Sequence, residues 1–178
     1  MPKIIYFPVF GRAQGIRLLL KHKGIDFTEE VPGTGDCPAW AELKAQHPER
    51  GGLPWWVADD GKVYTQSVAI LQALADEHGY RSDDPWVQFE SNWAFECCND
   101  FKEKPEFIIP FYKGAEATDE QRTATLELVC KLLDRLDARF ADGRKYVAGD
   151  VITAADFYLA AIDCAYFSNP NGKVPEFN

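Results

Sequence analysis

The chain has 178 residues, 46% of them apolar and 13% aromatic, which is too apolar for a disordered chain and enough for a core. At this length it forms one or two compact units, not a large multidomain assembly. Nineteen basic residues against 28 acidic ones leave a formal charge of −9, which argues against a nucleic-acid or anionic-membrane surface. Residues 1–80 carry 8 Lys and Arg and 10 Asp and Glu, whereas residues 81–178 carry 11 and 18, so a small anionic ligand favours the first half. No stretch approaches the ~20 apolar residues of a membrane span, and no basic-then-apolar leader opens the chain. The five cysteines (Cys37, Cys97, Cys98, Cys130, Cys164) are odd in number and form neither a Cys-x-x-Cys nor a Cys/His cluster. That pattern predicts a reduced, cytoplasmic protein without structural metal.

Lys3–Phe7 reads as a short buried strand, punctuated by Pro8 and Gly11. From Ala13 to Lys23 the residues Ile16, Leu19 and Leu20 mark one face of a helix that Gly24 stops. Ile25–Val31 follows as a second strand, and Pro32–Pro38 is a loop carrying Cys37, expected at the surface with a chance of thiol reactivity. Trp40–Gln46 makes a short helix ended by Pro48 and Gly51-Gly52. Leu53–Val57 and Lys62–Tyr64 form two strands joined through Asp60-Gly61. Thr65-Gln66-Ser67 then opens a helix buried on Ile70, Leu71 and Leu74 and closed by Gly79. This order describes an α/β unit over residues 1–79.

Residues 80–85 are a polar linker, and everything after them is helical in pattern. Trp86–Lys104 is an aromatic-rich helix in which Cys97 and Cys98 serve packing. Thr118–Phe140 carries Leu126, Val129, Leu133, Leu136 and Phe140 at steps of three and four, the expected buried face. Thr153-Ala154-Ala155-Asp156 is a capping box before a further helix. Val174–Phe177 looks like the first turn of another helix just before the chain stops at Asn178. The second domain, 86–178, is expected to be all-helical; either the protein is shortened there, lacking its last helices, or this sequence is a fragment.

Four separated segments, in order, carry a resemblance. They are Tyr6-Phe7-Pro8-Val9-Phe10-Gly11-Arg12-Ala13, Leu53-Pro54, Gln66-Ser67 and Gly149-Asp150-Val151-Ile152-Thr153-Ala154-Ala155-Asp156. Together they resemble a cytosolic glutathione transferase, most closely the tyrosine-dependent pi and sigma classes. The resemblance implies a thioredoxin-like N-terminal domain that binds glutathione and an all-α helical-bundle C-terminal domain that lines the electrophile pocket. It also implies a homodimer, with glutathione as cosubstrate and no metal.

A thiol of ordinary pKa, about 8.5, is only a few per cent thiolate at neutral pH, and the thiolate is the nucleophile. Such an enzyme stabilises that anion. In the resemblance Tyr6 is the donor to sulfur, because a phenol keeps its proton at neutral pH; position alone favours a core tyrosine packed under the first helix, and the surrounding motif reverses that reading. Arg12 matches the arginine near a glutathione carboxylate, and Trp40 and Lys44 match the pair holding the glycyl carboxylate. Leu53-Pro54 matches a cis step whose backbone pairs with the cysteinyl amide. Gln66 and Ser67, at a helix start with free N–H groups, match the γ-glutamyl carboxylate site. Asp100 falls where an acid reaches the neighbouring subunit's γ-glutamyl amine, and Asp156 is assigned to capping and folding. The departures are Phe10 and Gly52, which replace a basic residue and a glutamine, Arg50 at a position where some classes carry an aromatic key, and the bulky Trp55-Trp56 pair. Phe10, Gly52 and Arg50, with the expected lack of the last helices, keep open a second expectation: a catalytically silent structural or assembly subunit of a larger complex.

Overall fold

A computed structural model describes residues 1–105 and 117–169; the helix start expected at Val174–Phe177 lies outside them. The chain divides into two compact units, Met1–Gly79 and Tyr80–Asn178.

In the first unit, Lys3–Ile5 forms β1, Thr28–Glu30 β2, Trp55–Val57 β3 and Val63–Tyr64 β4. The strands are shorter than their apolar runs suggest, although Tyr6 N still donates to Glu30 O at 3.1 Å beyond the end of β1. The sheet order is β2-β1-β3-β4. β1 runs parallel to β2 and antiparallel to β3, which pairs antiparallel with β4. The parallel pair needs a crossover, supplied by α1, Gln14–Lys23. That helix buries Ile16, Leu19 and Leu20 and ends at Gly24, whose φ of 75° suits a residue without Cβ. α2 is Trp40–Gln46; α3, Ser67–His78, buries Ile70, Leu71 and Leu74 and packs on α1. This is the thioredoxin-like arrangement.

Alternation along the strands sorts the tryptophans. Trp55 joins Ile5, Cys37 and Leu43 in one buried cluster, while Trp56 faces the other side and is also buried. The pair therefore serves two core layers instead of crowding one. Cys37 corrects the expectation of an exposed loop thiol: it is 8% exposed within that cluster. Burial, followed by the charge of Glu30, pushes its thiol pKa up, away from reactivity.

The second unit is helical. α4 spans Pro85–Lys102, with the Asp84 carboxylate accepting from Trp86 N at 2.8 Å and Pro85 at the first helical position. α5 spans Asp119–Phe140 behind a Thr118/Gln121 capping box. α6 spans Ala154–Ile162 and runs on into a π-helical turn, Asp163–Phe167. Asp156 caps α6 as expected. Its carboxylate accepts from Thr153 N at 2.7 Å and from Val147 N at 2.9 Å, tying the preceding loop to the helix.

α5 buries Thr125, Val129 and Leu132, not the expected stripe: Leu126 and Leu133 are 38% and 50% exposed. A helix of 3.6 residues per turn offers two stripes here that share Val129 and Leu136. The one chosen continues from Leu132 to Arg139, and Arg139 Nη1 donates to Glu90 Oε1 at 2.6 Å. Glu90 on α4 is fully buried, and its second oxygen accepts from Arg144 Nη1 at 2.7 Å. Arg139 also lies over the Trp93 ring, 4.3 Å from its centroid. A buried carboxylate tolerates no other rotation of α5, because desolvation demands that both oxygens be paired. Glu90→Ala leaves two partly buried guanidinium groups facing a void. It is expected to lower the unfolding free energy by about 3 kcal/mol, read from urea denaturation of the full chain.

Cys97 and Cys98 are both buried on α4. Burial, with a smaller contribution from Cys97, pushes the Cys98 thiol up to about 12 from 9.0. Because the folded pKa lies above the unfolded one, the unfolded state loses its proton first as pH rises. Cys98 thus contributes full stability below pH 9 and loses it progressively towards about 12. Alkaline denaturation curves are expected to fall less steeply across this window in Cys98→Ala, measured against the native chain at the same pH values.

Candidate functional site

Tyr6 stands just past β1 and is 8% exposed. Its Oη accepts the backbone N–H of Arg12 at 2.9 Å. That approach requires glycine at position 11 on two counts. Gly11 has φ of +39°, and a Cβ built there would fall 2.5 Å from Tyr6 Oη. Arg12 follows within a 3-10 turn, Gly11–Ala13. A hydroxyl that accepts one N–H keeps its own proton to donate elsewhere.

Strand register gathers the other segments at the same end of the sheet. Ile5 pairs with Trp55, so Tyr6 lies alongside Pro54. β4 runs antiparallel to β3 and therefore alongside β1 in direction, which brings Gln66, two residues past β4, to that end as well. The Leu53–Pro54 peptide is cis. Gln66 has φ 68° and ψ 107°, a conformation that non-glycine residues rarely hold and that costs about 1–3 kcal/mol. Its Nε2 lies 3.8 Å from where a Gly51 Cβ would be, so the Gly51–Pro54 loop and the start of α3 adjoin. No side chain caps α3, which leaves the N–H groups around Ser67 for a ligand or water.

Trp40 opens α2 and is half-buried, its ring edge-on to Trp55 with centroids 6.1 Å apart. Lys44 is exposed one helical turn on, on the same face. Arg50 stacks over Trp55 at 4.9 Å. Arg12 is exposed, as is Phe10. Asp100 belongs to the second unit, where it lies 3.7 Å from Arg135. The sheet end thus assembles Tyr6, Arg12, Leu53, Pro54, Gln66 and Ser67.

Sequence reasoning missed Arg17. Its guanidinium forks the Glu29 carboxylate, with Nε to Oε1 and Oε2 at 3.1 and 3.0 Å and Nη2 to Oε2 at 2.7 Å. It also donates through Nη1 to the carbonyls of Val9 (2.8 Å) and Phe10 (3.3 Å). No sequence motif marks a pairing across twelve residues between α1 and β2. Among the described residues there is no group of His, Cys, Asp and Glu able to hold a metal ion, and no helix long and apolar enough to cross a membrane.

Comparison with known proteins fits this geometry. The family model for the glutathione S-transferase N-terminal domain matches residues 12–77, and that for the C-terminal domain matches residues 104–174. A class-mu 26 kDa glutathione S-transferase (isozyme 7) of Fasciola hepatica is 33% identical over 170 residues, 94% of this chain and 75% of its own length. The chain belongs to the glutathione S-transferase family. Glutathione S-transferase P of Bos taurus is 30% identical over 158 residues, covering 88% of this chain and 72% of that protein. The crystal structure of the glutathione S-transferase from Ascaris lumbricoides superposes with a TM-score of 0.77 at 25% identity, covering 99% of this chain and 84% of that one.

The close approach at Gly11 makes a direct prediction. Gly11→Ala forces the phenol away from Arg12 N–H, so glutathione-dependent conjugation should fall by about tenfold or more while the far-ultraviolet circular dichroism stays unchanged.

Proposed function

We propose that this chain is a glutathione transferase of the tyrosine-dependent type, in which Tyr6 donates its hydroxyl proton in a hydrogen bond to the glutathione sulfur and holds it as thiolate. The carrying observation is the Tyr6 Oη–Arg12 N–H bond, which occupies an acceptor site on the phenol and leaves its proton for the sulfur. Lowering a thiol pKa by ~2 units takes about 2.7 kcal/mol of differential interaction, within reach of a hydrogen bond to an ion plus its supporting dipoles. The thiolate then attacks an electrophilic centre, forming a carbon–sulfur bond as the leaving group departs with its electron pair or as a double bond opens. The nucleophile comes from the cosubstrate; the protein supplies placement and charge stabilisation.

The sheet end suits an extended tripeptide. From β1 to β4 is two strand spacings, roughly 10 Å, about the span of three extended residues. Gln66 and the N–H groups at Ser67 take the γ-glutamyl carboxylate, and the strained Gln66 backbone holds those groups in place. The backbone at Leu53-Pro54 pairs with the cysteinyl amide. Trp40 and Lys44 take the glycyl carboxylate, with Arg12 adding positive charge. In this reading residues 1–79 bind glutathione, residues 86–178 belong to a helical domain that meets a small hydrophobic electrophile, and the protein works in the cytoplasm as a homodimer in which Asp100 reaches the partner's γ-glutamyl amine. A silent assembly subunit has no chemical need for a glycine that admits a phenol at this distance.

Tyr6→Phe keeps the ring and removes the donor. It should still be retained on immobilised glutathione, while turnover of chloro-dinitrobenzene drops about a hundredfold. Undiminished turnover in that variant, or no retention of the native chain at millimolar glutathione, would overturn the reading.

A further inference from the structure

We propose that Arg17 is a positioning residue for Tyr6, fixing the turn whose backbone N–H the phenol accepts; this rests on the reading of Tyr6 as the donor to sulfur. The side chain of Arg17 is only 13% exposed, on the inner turn of α1. One guanidinium there joins three pieces of the unit. Two of its nitrogens fork Glu29 on β2, a third holds the carbonyls of Val9 and Phe10, and Arg17 itself is anchored in α1. Val9 and Phe10 directly precede Gly11 and Arg12, so a shift of their carbonyls carries the Arg12 N–H away from Tyr6 Oη. Residues 7–10 lie outside the strands and helices, Phe10 only capping the 3-10 turn that follows, and a backbone bond within them runs from Val9 N to Phe7 O at 2.8 Å.

The same guanidinium carries its charge to 5.8 Å from the centroid of the Tyr6 ring, inside the range at which a cation is drawn to an aromatic face. A positive charge there also favours electron density moving onto the phenolic oxygen as it donates to an anion. Holding that charge in place while gripping Glu29 and both carbonyls needs the planar fork of arginine. A lysine ammonium is a point charge with three donors and cannot bridge a carboxylate and two carbonyls in fixed geometry. An ion pair whose carboxylate is 40% exposed contributes little stability by itself, so the consequence lies in placement, not in melting temperature.

The test uses the full chain with Arg17→Lys, and with Lys3→Met as a control that removes a different ion pair to the same strand, β2, from Lys3 on β1 to Glu30 at 2.8 Å. The first readout needs no ligand: hydrogen exchange of the Arg12 amide, followed by NMR. The second is the pH titration of bound glutathione, followed by the ultraviolet absorbance of its thiolate, with kcat and KM measured beside it. In Arg17→Lys the Arg12 amide is expected to exchange about tenfold faster, the thiolate midpoint to rise by about one pH unit and kcat to fall about tenfold, while KM for glutathione changes less than about twofold. Glu29→Gln, which frees the fork but leaves the carbonyl bonds, should move each readout the same way by less, and it decides the matter if Arg17→Lys does not fold. An unchanged Arg12 exchange rate and thiolate midpoint in the folded variant would overturn the proposal, as would equal changes in Lys3→Met. If the native chain binds no glutathione, the reading of Tyr6 falls, and the Arg12 exchange rates alone decide whether Arg17 holds the turn.

Discussion

The contact between the Tyr6 hydroxyl and the backbone N–H of Arg12 is the constraint on which the rest of the site depends. A phenol can reach a main-chain amide after its own strand only if the chain reverses tightly above it and leaves no side chain in between. Pro8 and Gly11 meet that requirement locally: one limits the backbone on the way out, and the other removes the Cβ that would collide with Oη. The sheet meets it globally. Tyr6 N reaches Glu30 O, and β3 lies against β1 on the other side, so the phenol is anchored between two neighbours while its ring is buried. Under the proposed mechanism, function at this sheet end is a matter of fixed dipoles around one oxygen, in the manner of preorganised sites generally.

The helical unit solves a different problem with the same economy of charge. A strongly acidic chain cannot leave its carboxylates unpaired in the interior, and it uses two of them as structural acceptors. Glu90 binds two arginines from separate segments and thereby sets the rotation of α5 on α4. Asp156 gathers two backbone N–H groups and the Thr153 hydroxyl at the start of α6. A third polar group, Lys102, donates to the Tyr158 hydroxyl, which donates in turn to Asn99 at 2.6 Å and so links α4 to α6. Each network is satisfied within the described residues, and satisfied buried networks favour one packing over its near alternatives.

Cys37, Cys97 and Cys98 show how burial decides chemistry that residue type leaves open. All three are buried, and desolvation raises the pKa of each thiol. They behave as small apolar residues. Under the proposed mechanism this is consistent, because the reacting thiol arrives with the cosubstrate and any thiolate of the protein's own would compete with it for the electrophile.

Much of this was legible in the residues. Apolar periodicity, glycine stops and capping boxes located α1, α3, α4 and α6 within a few residues, since those signals are local and act through backbone geometry. The segments around Tyr6, Leu53-Pro54 and Gln66-Ser67 pointed to chemistry only through the resemblance they carry together, because position alone fits a core tyrosine and a simple helix cap better. Which of two overlapping stripes α5 buries was not legible, because Leu126 and Leu132 fit helical spacing equally well and the choice was made by Glu90, on another helix. The burial of Cys37 and the separation of Trp55 from Trp56 came from strand alternation and sheet packing, and the grip of Arg17 on Glu29 and the Val9 and Phe10 carbonyls came from two elements meeting in space. The sequence by itself determined the elements and the chemical groups available. The tertiary structure alone decided which groups share an environment, because pairing, desolvation and hydrogen-bond geometry depend on distances between residues far apart along the chain.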